Sequence, residues 1–210
     1  VLLAAGDDLT QCIEKVTDNP PTFRTVGLEK NVTLVPYHQL FGERYAVYWR
    51  AFRNGSAEHA AYVAEEKIRA DLKSRTVDEV EIGDPRLERA HGMKGERTTK
   101  GLHFGRSWRQ ASDGGWFSYD LKVLPDTPQE LRIGFWGSDA GGREFDILVE
   151  DVKLASLKLE NNRPGAFYDE TYPLPKELLA NKKTVTVKFQ ARPGMTAGGI
   201  FGCAILKSAK

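Results

Sequence analysis

The chain has 210 residues, with 30 Lys and Arg against 29 Asp and Glu, a formal net charge of +1 with histidine neutral; that balance excludes a general nucleic-acid binder, which needs excess cations to displace condensed counterions. With 40% hydrophobic and 28% charged residues, the composition is that of a folded chain and not a disordered one, enough for one large domain or two small ones. No apolar run approaches the ~20 residues a membrane-spanning helix requires.

The opening Val1-Leu2-Leu3-Ala4-Ala5 lacks the basic start of a cleavable secretion signal and stops too soon. The missing initial Met predicts a mature product or an excised piece. Residues 1–53 read as short strands and turns: Val32 and Leu34, then Tyr45, Val47 and Trp49, alternate at period two, while Pro20-Pro21 and Pro36 interrupt them. About fifty such residues cannot close a substantial core alone, so this piece is expected to pack on something else.

Asn54-Gly55 marks a turn and Ser56 an N-cap. Ala57, Ala61, Ala64, Ile68 and Leu72 then recur on one narrow stripe, predicting a helix from 57 to 74 inside a connector of residues 54–76. Because the stripe is mostly alanine, the helix can lie close to a sheet but brings little apolar area. Residues 77–210 form the third part. Its first stretch, with His91 and His103 flanking, reads as a polar loop that runs on to Trp108.

From about residue 105 the pattern is β. Phe117, Tyr119, Leu121 and Val123 form one inward set; Leu131, Ile133 and Phe135, then Phe145, Ile147 and Val149, then Val185, Val187 and Phe189 form others, before Ile200 to Leu206. Turn clusters separate them, and Lys176 to Ala180 reads as one helical turn. Seven or so short strands at this spacing predict an antiparallel β-sandwich or jelly roll. The fold class is therefore mostly β, a sandwich at the C-terminal half preceded by a short β segment and one connector helix.

Signals for chemistry are sparse. Glu96, Asp120, Asp139, Glu144 and Asp146 could each be nominated as glycosidase carboxylates, but no spacing ties two of them together. His38, His59, His91 and His103 share no metal-ligand spacing, and a solvated loop outweighs a His91–Glu96–His103 metal set. Cys12 and Cys203 form no zinc pattern; one disulfide between them is open, but their apolar settings favour buried free thiols. No nucleophile elbow or phosphate loop is present; Gly137 to Gly142 reads as hairpin flexibility. Aromatics carry more. Sugars offer flat C–H faces to indole rings and hydroxyls to polar rims. Trp108, between Arg106 and Arg109, and Trp136, beside the Gly137–Gly142 loop, are the candidate stacking residues, with Arg106, Arg109 and Asp139 as hydrogen-bonding partners. The competing reading is that the indoles simply fill a core.

Thr33-Leu34-Val35-Pro36-Tyr37 with Arg44-Tyr45-Ala46-Val47-Tyr48-Trp49, Thr76 to Val80, Glu88-Arg89-Ala90-His91, Gly95 to Thr98, Gly105 to Arg109, Gly114 to Leu121 and Thr196 to Gly202 together resemble, in order, the region after the catalytic barrel of bacterial glycoside hydrolase family 127-type proteins, the β-L-arabinofuranosidase-like group. The resemblance covers nearly the whole chain. It implies a catalytic (α/α)6 barrel upstream as the partner, a galactose-binding-like jelly roll over 105–210, a plant-type glycan and an extracytoplasmic location. Characterised members use a cysteine nucleophile beside a zinc ion, and no position here matches that motif. The expectation is thus a non-catalytic accessory region that binds carbohydrate through loop aromatics, with no cofactor except room for a structural calcium ion. Its rivals are a purely structural brace for the barrel and, third, a self-sufficient glycosidase.

Overall fold

The computed structural model describes residues 2–4, 9–26, 31–39 and 50–209, and the chain divides into two compact units, Val1–Asp71 and Leu72–Lys210. In the first unit lie β1 (Leu2–Ala4), β2 (Ile13–Asp18), β3 (Pro21–Thr25), β4 (Thr33–Leu34) and β5 (Ala51–Arg53). Strands β2, β3 and β4 form a small antiparallel sheet, and β1 runs parallel to β5. Among its described residues Thr25 and Cys12 are buried, and the Thr25 Oγ1 accepts the Val32 N–H at 2.7 Å. Ile13, Val16, Phe23, Val32, Val35 and Tyr37 stay exposed. The alternating run Tyr45, Val47 and Trp49 lies outside the described residues.

Helix α1 (Ala57–Arg75) begins where Ser56 accepts the His59 N–H at 3.1 Å, satisfying one of the first-turn donors. The face with contacts is not the alanine stripe. Ala57, Ala61, Ala64 and Ile68 are exposed, while His59 and Tyr62 pack on Phe52 with ring centroids 5.8 and 5.1 Å apart. Aromatic area outweighs methyl groups in choosing the packed side.

The second unit holds β6 (Thr76–Val80), α2 (Pro85–Ala90), β7 (Lys94–His103), β8 (Arg106–Lys122), β9 (Gln129–Trp136), β10 (Arg143–Val149), β11 (Val152–Leu159), β12 (Phe167–Pro173), α3 (Lys176–Leu179), β13 (Thr184–Ala191) and β14 (Thr196–Lys207). Every pairing here is antiparallel, in the order β11-β10-β13-β8-β14-β9-β12, with β6 added on β14 and β7 on β8. The long strands β8 and β14 serve two neighbourhoods each. β14 pairs with β8 near Thr196–Ile200 and with β6 over Cys203–Leu206, and register shifts mark the bends. The sheet thus folds over a single core. The four inward sets predicted from period-two alternation all lie in it: Phe117, Tyr119 and Leu121; Leu131, Ile133 and Phe135; Phe145, Ile147 and Val149; Val185, Val187 and Phe189. Cys203 is buried and free, and burial pushes its thiol far up, so it behaves as a small apolar side chain.

Two expectations fail here. Residues 94–103 are not a polar loop but strand β7, paired with β8 from Lys94↔Ser118 to His103↔Arg106. Its two-residue turn is Phe104-Gly105, at φ 45° and 75°; Phe is not a residue that signals such a turn, which Asn or Gly normally fills. The Gly137–Gly142 segment is not a hairpin either, because β9 and β10 do not pair; it crosses between neighbourhoods of the sheet.

A charged group sits at the base of β8. Arg109, 7% exposed, donates to both oxygens of Glu88, itself 3% exposed, at 2.8 and 2.7 Å. Tyr119 donates to Glu88 Oε1 at 2.9 Å, and Arg109 reaches Thr98 Oγ1 at 3.1 Å. This ties α2 to β8. The helix starts cleanly, with Pro85 at its first turn and Asp84 Oδ1 accepting from the Arg86 and Leu87 amides at 2.8 and 3.3 Å. Burial pushes the Glu88 carboxyl up, but the hydrogen bonds from Arg109 and Tyr119 and the guanidinium charge outweigh it and hold the carboxyl below its usual range.

Since the folded-state value is lowered, Glu88 contributes stability that is complete above about pH 4.3 and is lost as pH falls through the depressed value. Glu88→Ala leaves Arg109 buried without its partner and is expected to cost about 3–5 kcal/mol in urea unfolding at neutral pH. That cost should shrink at acid pH. An equal urea midpoint for variant and wild type would refute the pair's structural role.

Candidate functional site

On one side of β7 and β8, the side chains that point away from the core meet the loop after β9. There a cavity of about 250 Å³ is walled by His103, Trp108, Gln110, Trp136, Ser138, Asp139, Arg143, Gly199 and Phe201. At ~30 Å³ per water, that is the space of about one sugar ring. Trp108 lies across the strand from Gly101, and any side chain at Gly101 would collide with the indole. The absent Cβ is what lets the Trp108 ring lie across β7.

The opposite wall is a packed aromatic set. The His103 ring meets Trp136 edge-on at 4.9 Å, Trp136 meets Phe167 at 4.8 Å, and Phe167 meets Phe201 at 5.0 Å. Edge-to-face contacts of this kind fix ring planes as well as positions. The floor loop is held just as firmly. Gly165 N–H donates to Ser138 Oγ at 2.8 Å, Asn161 N–H to the Asp139 carbonyl at 2.8 Å, and Gly137 N–H to the Ala166 carbonyl at 2.8 Å.

Polar groups of the cavity fall into two kinds. Arg143 is engaged, donating to the Gly198 carbonyl at 2.5 Å and to Gln110 Oε1 at 3.2 Å, with its charge 3.4 Å from Asp139 Oδ1. Asp139 Oδ2 and His103 Nε2 are buried and have no hydrogen-bond partner among the described residues. Burial pushes the Asp139 carboxyl up. Arg143, the Gly199 amide and His103 favour its charged form without cancelling that effect, and nothing closes a well-formed hydrogen bond on Oδ2. Two buried polar atoms left open cost a fold free energy, and a ligand's hydroxyl or amine groups would satisfy them.

Of the five residues nominated from sequence, Trp108, Trp136 and Asp139 line this cavity together. Arg106 is not brought there; its guanidinium lies 4.4 Å above the Phe167 ring and it lines a neighbouring, larger concavity. Arg109 is not brought there; it faces the core and holds Glu88. His103, Gln110, Arg143 and Phe201 escaped the sequence reading. The signal that could have found the first two was period two carried back through the turn, which puts His103, Arg106, Trp108 and Gln110 on one face.

Of the other acidic candidates, Glu96 is exposed on β7 and three are engaged elsewhere. Asp120 accepts from Thr186 Oγ1 at 2.7 Å. Asp146 is held below its usual range by a hydrogen bond from Ser156 and by Lys153 and Arg192, and Glu144 sits between Arg192 and Lys158. Carboxylates so held make poor general acids. His91 pairs with Asp78 at 3.3 Å, and no three His, Cys, Asp or Glu side chains among the described residues converge as metal ligands. A larger concavity of about 520 Å³ lies beyond Phe201, with Glu79, His91, Arg106 and Arg132 in its wall. Its charges largely pair with one another or with neighbours, Arg132 with Glu79 and Asp169 at 3.7 and 3.8 Å, so the smaller cavity is the better candidate.

The model of a family described as a family of unknown function (DUF6805) matches residues 71–206. No curated protein matches the chain. Among solved structures, a family 35 carbohydrate binding module from Clostridium thermocellum is similar at 9% identity, covering 55% of this chain and 92% of that one, with a TM-score of 0.44. The corresponding module from Paenibacillus barcinonensis is 12% identical over 56% of this chain and 94% of that one, TM-score 0.41. A GH26-CBM35 β-(1,4)-mannanase from Podospora anserina is 12% identical over 58% of this chain and 27% of its own, TM-score 0.41.

The raised Asp139 value sets a sign. Above it the buried charge works against folding, and stability rises as pH falls through it toward the unfolded value of about 3.9. Asp139→Asn is expected to keep or raise the melting temperature near neutral pH and to abolish that acid-side gain. A marked drop in melting temperature would mean that the Arg143 pairing outweighs the burial.

Proposed function

The chain belongs to the family of unknown function DUF6805, and we propose that its Leu72–Lys210 unit is a non-catalytic carbohydrate-binding module, an accessory region of a glycoside hydrolase. The observation that carries this is the pairing of two unsatisfied buried atoms, Asp139 Oδ2 and His103 Nε2, with indole walls in a cavity of one-ring size. A sugar meets both demands at once. Its C–H face packs on Trp108 or Trp136, one hydroxyl donates to Asp139 Oδ2, and another exchanges a hydrogen bond with His103 Nε2, while Gln110 and Arg143 offer further polar atoms. Arg106 lies outside this cavity, over the Phe167 ring. Arg109 acts on the fold through Glu88.

The finer reading rests on the resemblance to β-L-arabinofuranosidase-like proteins of glycoside hydrolase family 127 type. In it the parent is such an enzyme, a catalytic (α/α)6 barrel is the partner, the ligand is a plant-type glycan, and the location is extracytoplasmic. A second reading, a brace for the barrel that binds nothing small, is favoured by the exposed Ile13, Val16, Phe23, Val35 and Tyr37 of the first unit.

Affinity gel electrophoresis against arabinan, arabinogalactan, galactan, xylan and mannan tests the proposal. At least one polymer should retard the chain, and Trp136→Ala should weaken that retention by about thirtyfold, the loss of one hot-spot side chain. Migration unaffected by all five polymers would leave the bracing role in its place.

A further inference from the structure

Beside two of the cavity's walls stands an exposed aromatic residue in a strained turn. Phe104 is 75% exposed and holds φ at 45°, in the left-handed region that L residues other than Asn and Asp rarely enter. It thus combines exposed aromatic area with backbone strain, and Asn at the same place would incur neither. Its place is specific. The Phe104 ring lies 4.6 Å from His103 and 5.4 Å from Trp136, centroid to centroid, next to the two aromatic residues that wall the cavity. Leu102 is also exposed, at 70%, but alternation sets it on the opposite face of β7 from His103.

We infer that Phe104 is a second stacking platform, outside the cavity, which takes the neighbouring sugar of a chain whose end residue occupies the cavity. The inference rests on the carbohydrate reading above and narrows its ligand class to the ends of oligosaccharides. A cavity of about 250 Å³ holds one ring, so a longer ligand has to leave it. An exposed apolar face that adjoins both His103 and Trp136 is Phe104. The two-residue turn length and the contact with His103 hold the ring at the tip of the β7–β8 turn despite the strain at φ 45°.

Titration calorimetry of the full chain tests this with D-galactose, D-xylose, D-mannose and methyl L-arabinofuranoside, each beside its homologous di- and trisaccharide. Wild type is expected to bind one disaccharide about tenfold more tightly than its monosaccharide, the worth of one aromatic contact, with little added by the trisaccharide. Phe104→Asn, which completes an Asn-Gly turn, should abolish that tenfold gain, leave the monosaccharide affinity unchanged and raise the melting temperature. Leu102→Ala should keep the gain. A Phe104→Asn protein that retains the gain, or a wild type that binds mono- and disaccharide equally, overturns the inference and leaves the sugar site standing. A wild type that binds none of the four series overturns the sugar reading and the inference with it.

Discussion

The alternation of side chains along each half of β8, on either side of its interruption at Asp113-Gly114, governs much of this molecule's second unit. Residues 109, 111, 117, 119 and 121 turn inward, and each is buried. Trp108 and Gln110 must then turn the other way, onto the cavity. Two adjacent residues of one strand cannot serve one site, so Trp108 and Arg109, neighbours in sequence, part company. One becomes a wall of the cavity; the other becomes the cation of a buried pair. A one-residue slip of β7 or β8 would exchange them and lose both features.

The two polar clusters on either side of that strand differ in kind. Around Glu88 every strong donor and acceptor is matched: a two-pronged guanidinium, a phenol and a threonine hydroxyl share one carboxylate region. Such closed networks hold elements in register, here α2 against β8, and have nothing left to offer a ligand. Around Asp139 the matching stops short. Arg143 is anchored by Gly198, Gln110 and Asp139 with donors to spare, while Asp139 Oδ2 and His103 Nε2 remain open. The surroundings that keep them open are rigid, since the ring contacts from His103 to Phe201 and the hydrogen bonds from the 161–166 segment leave those side chains little freedom to turn toward each other. A preformed site of this sort loses little conformational entropy on binding.

How much of this was legible beforehand depends on how local the signal was. The inward sets from Phe117 to Phe189 and the turn at 176–179 follow from alternation and turn residues within a few positions, and the structure carries them unchanged. Strand β7 was not legible, because its turn is made by Phe104-Gly105 and its exposed positions are filled by Lys, Arg and Thr, which read as a loop. Nor was the packed face of α1: the alanine stripe is periodic, but Phe52, just before the helix, selects His59 and Tyr62 instead. Trp108, Trp136 and Asp139 were reachable as residue types suited to sugar. Their meeting in one cavity was not, since it brings together β8, the end of β9 and the loop after it.

The amino-acid sequence by itself determined that this is a mostly β chain with one long helix, close to neutral overall, with indoles flanked by polar residues. Those properties follow from composition and short-range period, which each segment carries alone. Only the tertiary structure decided which polar groups would be satisfied and which left open. Whether Arg109 finds Glu88, or Asp139 Oδ2 finds nothing, depends on segments 21 or more residues apart in one case and on the ring packing of His103, Trp136 and Phe201 in the other. A hydrogen bond requires its partner within about 3 Å, and a linear sequence does not state that distance.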